Sequence, residues 1–439
     1  MRVKTEGINR RILRLAIPAI INNITVPLLG LCDTAVAGHL GSPAFIGAVS
    51  VGAMMINVFF WLCGFLRMGT TGLTANAFGA GAFRDVRRVL GMALSVAAVI
   101  SLVILIFQKP FLSLLLIVTS PEGDVAALSS QYFSICIWGL PAQLGFMAIC
   151  GWFIGMQSTL VPMLVAVGMN LVNIGLSLSF VFLFDMGFPG IPLGTAVANW
   201  IGLAASLIIA GRMLPKKEEG TEAESKISFG KFFSVNANLF LRSACVMGVS
   251  VAVTSIGARL GDITLAANAV VMQFFIFFSY FMDGFAFAGE ALVGKDAGSS
   301  DRSRMMVTIG ALLKWGVGVA AVFLIVYIIG SDFIASLLTD EETVLHTVRH
   351  LKLWICLLPP LTVLAFLFDG IFIGLTRTRE MLIATASATA AFVLILVVGF
   401  RLSSPWANML LWGAFETYLL LRGVLLASIF YAERRRLLA

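Results

Sequence analysis

Of the 439 residues, 59% are hydrophobic and 12% charged, against about 25% charged in an ordinary soluble domain. A water-soluble fold is excluded, because it could not bury that much apolar surface. The formal net charge of +7 comes from basic residues scattered between apolar runs, without the aromatic-interleaved stripe of a nucleic-acid surface, so no nucleic-acid partner is expected.

A helix needs about 20 mostly apolar residues to cross a bilayer. Runs of that kind lie near 15 to 37, 44 to 66, 89 to 108, 128 to 154, 160 to 182 and 192 to 211. A second set lies near 233 to 257, 264 to 290, 306 to 328, 351 to 374, 380 to 400 and 406 to 430. The first run follows Arg2, Lys4, Arg10, Arg11 and Arg14 and has no small-residue cleavage site, so it is expected to remain as a spanning helix. The chain is therefore read as an all-α integral membrane protein of twelve transmembrane helices. With this partition, 21 of the 30 Lys and Arg residues fall in the termini and in the loops after even-numbered spans. By the positive-inside rule both termini are then cytoplasmic.

The longest polar stretch, Leu214 to Lys231, sits at the midpoint and reads as a cytoplasmic linker. It separates an N-terminal lobe (1–213, spans one to six) from a C-terminal lobe (232–439, spans seven to twelve). A shift of 219 residues sets Gly151-Trp-Phe-Ile-Gly-Met on Gly370-Ile-Phe-Ile-Gly-Leu, Pro141 on Pro360 and Gly194 on Gly413. One order of six spans thus occurs twice. Six spans per half relate the lobes by a pseudo-twofold axis along the membrane normal, with substrate expected in the cleft between them. The paired prolines are expected to bend the fourth and tenth helices alike.

A charge at bilayer depth costs about 2.5–3.5 kcal/mol on insertion scales and is a functional candidate by default. Asp33 is the first such residue, six positions after Pro27. Pro27 cannot donate to the carbonyl of Asn23 and Gly30 loosens the next turn, so the first helix is expected to be bent or partly unwound before Asp33. Asn170 and Asn173 share a face of the fifth span, and Thr195 falls in the sixth. The alternative for the two asparagines is interhelical hydrogen bonding as glue. Under the 219 shift none of these residues meets an equally polar partner set, so a specific site is expected in the first half only. Asp283 and Asp369 are candidates for lining the cleft, with ion pairing to Arg242 or Lys314 as the alternative. Met54, Phe60, Met147 and Phe274 are adaptable apolar side chains that could pad it.

His346 and His350 are spaced four apart in an external loop beside acidic residues, but a third ligand at fixed spacing is lacking and no metal is expected. The six cysteines contain no C-x-x-C pair and read as small packing residues. No P-loop, H-E-x-x-H or G-x-S-x-G motif occurs. The expectation is a transporter and not an enzyme, needing no cofactor, driven by a proton gradient or by a sodium one.

Val26-Pro-Leu-Leu-Gly-Leu-Cys-Asp-Thr-Ala-Val-Ala-Gly-His-Leu and Leu66-Arg-Met-Gly-Thr-Thr-Gly-Leu-Thr-Ala resemble the multidrug and toxic-compound extrusion (MATE) family, its DinF branch most closely. Asp283-Gly-Phe-Ala-Phe-Ala and Asp369-Gly-Ile-Phe-Ile-Gly-Leu-Thr-Arg extend the resemblance over nearly the whole chain. It implies a V-shaped, two-lobe antiporter in the bacterial inner membrane that exports organic compounds, often amphipathic cations, while protons or sodium ions enter. Small organic molecules and membrane lipid are then its partners, and it is taken to act as a monomer. The resemblance places Asp33 as the coupling acid, with Asn173 and Thr195 in the same cation site. Many relatives have a second carboxylate where this chain has Ser177. With one acid and neutral oxygens around it, protons are favoured over sodium. The rivals are sodium-coupled efflux by the same fold and a related flippase for lipid-linked saccharides. A flippase cleft should be strongly cationic, whereas Arg67, Arg242, Lys314 and Arg422 are the basic residues placed within spans.

Overall fold

The computed structural model describes residues 5–214, 227–402 and 407–438. Of the expected linker, residues 215–226 lie outside the described residues. The first half comprises α1 (Thr5–Gly38), α2 (Pro43–Leu62), α3 (Phe65–Gly79), α4 (Phe83–Ile106), α5 (Gln108–Thr119), α6 (Gly123–Cys136), α7 (Leu140–Gly155), α8 (Leu160–Leu178) and α9 (Gly190–Met213). The second comprises α10 (Phe229–Arg259), α11 (Asp262–Gly298), α12 (Arg302–Leu338), α13 (Glu342–His350), α14 (Lys352–Gly374), α15 (Thr378–Leu402) and α16 (Ala407–Leu438). No strand occurs among the described residues. Twelve helical segments among them are long and apolar enough to cross a bilayer, and each overlaps one of the twelve expected runs to within two residues at the ends where the run is the longer.

The repeat has a structural reason at its glycines. In the first half α7 packs against α3, α4 and α9, and in the second α14 packs against α11, α12 and α16. A Cβ on Gly151 would strike the backbone oxygen of Arg67 on α3, and one on Gly370 would strike that of Ala286 on α11. Arg67 and Ala286 are themselves 219 apart, so the same backbone approach is built twice. Gly155 against Thr71 and Thr74, and Gly374 against Glu290 and Gly294, repeat it one turn later. Small residues four apart let membrane helices close in this way. The turns agree too: left-handed residues follow the fourth and tenth spans at Gln157 (φ 67°) and Thr376 (φ 56°).

Elsewhere the halves part. The second span is broken at Cys63–Gly64 into α2 and α3, whereas α11 runs unbroken for 37 residues. The fourth span is broken by a 3₁₀ turn, Ile137–Gly139, with Pro141 in the first turn of α7. Its counterpart α14 continues through Pro359 and Pro360. The paired prolines thus sit in differently built helices. Glycine, not proline, separates the two cases: Gly139 lets the chain lie against the backbone of Ala196, and Leu358 stands at the corresponding place in α14. Of the expected bend or partial unwinding before Asp33, the unwinding is corrected, since α1 is helical from Thr5 to Gly38. There the Thr25 hydroxyl donates to the Asn22 carbonyl at 2.8 Å, the kind of local adjustment that lets membrane helices carry proline.

By packing, the chain forms two compact units, Ile21–Asn236 and Met1–Ile20 with Ala237–Ala439. Both dividing points fall inside helices, α1 and α10. Within the second unit, Gly284 of α11 faces Ala16 and Ile20, and Trp315 Nε1 donates to Asn9 Oδ1 at 3.2 Å. These contacts hold the start of α1.

Candidate functional site

Within the first unit, four of the expected polar residues converge on one place. Asp33 is 5% exposed, and its carboxyl hydrogen-bonds with the hydroxyl of Thr195 on α9. Asn173 Nδ2 of α8 donates to Thr195 Oγ1 at 2.9 Å. Ser177, one turn further along α8, lies 3.4 Å from both Asn173 Oδ1 and the Ile191 carbonyl. That carbonyl is also 3.3 Å from Thr195 Oγ1. The single Thr195 proton thus has two acceptors, Asp33 and Ile191. The second oxygen of Asp33, Oδ1, is buried without a hydrogen-bond partner.

Local sequence explains the convergence. Asn173 and Ser177 are four apart on α8 and so share a face. Gly194 is needed where α9 meets that face, because a Cβ there would press on Ser177. The turn that brings α9 back is set by Asp185 (φ 51°) and Gly187 (φ 61°), both left-handed. A core of Val36, Ala37, Val49, Val181, Phe188 and Ile191 encloses the cluster. The Phe45 and Phe188 rings stack at 5.3 Å beside it.

Sequence reasoning did not single out Tyr132, and it placed Cys136 among the packing residues. Tyr132, 3% exposed on α6, hydrogen-bonds with Thr195 and with Cys136 and interacts electrostatically with Asp33. Its ring lies so close to α2 that only glycine fits at position 52. The signal was present: Tyr is scarce, with 5 in the chain, and Tyr132 and Cys136 are one helical turn apart. Asn170 is half-buried on α8, and among the described residues it is not part of this hydrogen-bonded group.

The expected cleft residues fall in different surroundings. In the first unit Met54 is 51% exposed and Met147 is buried, while Phe60 is half-buried. In the second unit Phe274 is buried against Tyr327, whose hydroxyl donates to the Phe274 carbonyl at 2.7 Å. Asp369 is 8% exposed, and its Oδ2 is held by Arg242 and, at 3.1 Å, by Arg422. The ion-pair alternative with Arg242 is thus realised, with Arg422 as a second cation. Asp283 is half-buried and interacts electrostatically with Arg422. His346 and His350 meet edge to face at 4.6 Å on α13, and no group of three or more possible metal ligands gathers among the described residues.

Known proteins resemble this chain along its whole length. The MatE family profile matches it twice, at residues 18–178 and 239–399, once in each half of the internal repeat. "DNA damage-inducible protein F" of Escherichia coli (strain K12) is 36% identical over 94% of this chain and 90% of its own length. "Protein DETOXIFICATION 45, chloroplastic" of Arabidopsis thaliana is 26% identical over 92% of this chain and 76% of its own. Among solved structures, the MATE transporter VcmN of Vibrio cholerae in its bent form superposes with a TM-score of 0.82 at 18% identity, over 99% of this chain and 98% of that one. At that identity the likeness speaks for the fold.

Proposed function

The chain belongs to the MatE family of multipass membrane transporters, and from that premise we propose that it is an antiporter exporting organic, often cationic and amphipathic compounds in exchange for protons, coupled through Asp33. The observation that carries this reading is a buried carboxyl on which no cation acts among the described residues. One of its oxygens has no partner, and the groups around it are the neutral Thr195, Asn173, Ser177 and Tyr132. A charge left so at bilayer depth costs several kcal/mol, and a proton removes that cost with a single acid. Sodium would gain less charge compensation from Asp33 alone than in a site with two carboxylates.

The shared proton of Thr195 gives the exchange a local switch. With Asp33 charged, Thr195 donates to it and α1 is tied to α9. With Asp33 protonated, the carboxyl is itself a donor and Thr195 can turn to the Ile191 carbonyl of its own helix. The two protonation states therefore favour different attachments of α1, which is what a population shift requires. In this reading the protein lies in a bacterial plasma membrane with both termini cytoplasmic, as the distribution of Lys and Arg favours.

The test is uptake of a fluorescent organic cation by proteoliposomes of the purified protein, energised in turn by a pH gradient and by a sodium gradient. Uphill transport driven by the pH gradient alone is expected. Transport that requires sodium and ignores the pH gradient would overturn proton coupling and leave efflux by this fold standing.

A further inference from the structure

The second unit holds a buried acid that the coupling scheme does not use. Glu416 on α16 is 1% exposed, and both of its carboxyl oxygens are buried without a hydrogen-bond partner. Its two oxygens are closed off from solvent, while the residue itself borders open space. It lines a cavity of about 490 Å³ between α14, α15 and α16, whose wall includes Trp354, Leu361, Ile395 and Leu420. Along α16, Met409, Gly413, Glu416, Thr417 and Leu420 all line it, and their spacing puts them on one helix face. Gly413 keeps that face open for the indole of Trp354, since a Cβ there would stand 3.1 Å from Cη2 of the ring. The volume lies in the usual range of small-molecule sites, about 300–1,000 Å³.

Two orphan acceptors on a residue that borders an apolar, aromatic-edged cavity call for a ligand with an N–H donor and a hydrophobic body. An ionisable residue in a span normally faces its partner, and among the described residues none hydrogen-bonds to Glu416. We propose that the cavity around Glu416 binds a lipophilic amine, its ammonium group donating to the Glu416 carboxylate and facing Trp354, its apolar body lying along Leu361, Ile395 and Leu420. The indole adds a cation–π contact. The first half has no such site, because Val197 and Ile135 stand where the repeat would place Glu416 and Trp354. This assignment is independent of Asp33 and of which ion drives transport.

The experiment is equilibrium binding of the fluorescent amine 1-naphthylmethylamine to the full-length protein in lipid nanodiscs without any gradient, with 1-naphthalenemethanol as the uncharged comparison. The amine should bind more tightly than the alcohol. Glu416→Gln, which keeps the shape and removes the charge, should weaken the amine about tenfold or more and leave the alcohol unchanged. Thr417→Trp, which fills the cavity from the same helix face, should abolish binding of both and carries the test should Glu416→Gln fail to fold. Folded Glu416→Gln that retains the parent's affinity for the amine, or Thr417→Trp that binds both compounds unchanged, would overturn the proposal. Since no gradient is present, either outcome leaves the antiport reading to its own test.

Discussion

Two buried acids, Asp33 in the first half and Asp369 in the second, are held in opposite ways. In the second, Asp369 is held between Arg242 and Arg422. In the first, Asp33 meets the Thr195 hydroxyl and no cation among the described residues, while Oδ1 of each acid is without a hydrogen-bond partner. One scaffold, repeated, thus carries an acid whose charge is compensated and one whose charge is not. Compensation stabilises the charged state and fixes it, whereas an uncompensated acid is free to exchange a proton. Duplication supplied the helices, and divergence at a few positions supplied the chemistry.

The sharpest way to break this contrast is to remove each acid and measure unfolding in detergent. Asp369→Ala leaves two buried guanidinium groups sharing no carboxylate and should cost about 3–5 kcal/mol, whereas Asp33→Asn should cost less than about 1 kcal/mol. Equal costs would erase the distinction. The common scaffold is tested by Gly151→Val and Gly370→Val, each of which forces side-chain atoms into the facing helix backbone. Both should destabilise by about 1–3 kcal/mol, and a large cost in one half alone would deny that the two contacts are equivalent.

A smaller effect is expected within the polar cluster. Tyr132→Phe removes a hydroxyl bonded to Thr195 and should cost about 0.5–1.5 kcal/mol, with transport reduced but still driven by a pH gradient. The smallest concerns the turn after the second span, which is left-handed at Gly81 (φ 70°) and, in the repeat, at Ser300 (φ 56°). Ser300→Gly should stabilise by up to about 1 kcal/mol and Gly81→Ala should destabilise by a similar amount. Thermal melts of the pair check both signs.

Much of this was legible in the sequence, because a bilayer enforces length and apolarity on every span and because glycines at helix crossings cannot be replaced. The twelve runs and the Gly151 and Gly370 landmarks followed from those two constraints. Asp33, Asn173 and Thr195 could be named because polar groups in spans are costly and therefore few, whereas Ser177 came from the family resemblance. What could not be read was how helices end inside the membrane. Pro141 and Pro360 look alike in sequence, yet Gly139 breaks one helix and Leu358 continues the other. Tyr132 escaped notice because an aromatic residue in an apolar run normally packs, and only the fold directs its hydroxyl to Thr195. Arg422 likewise carried no mark of its partnership with Asp369, 53 residues away in the chain.

The central claim, that Asp33 is the coupling group, is tested most directly by Asp33→Asn in proteoliposomes carrying a pH gradient. The variant should fold and bind a fluorescent organic cation yet only equilibrate it, with no accumulation against its concentration gradient. Accumulation at the parent's level would contradict the account.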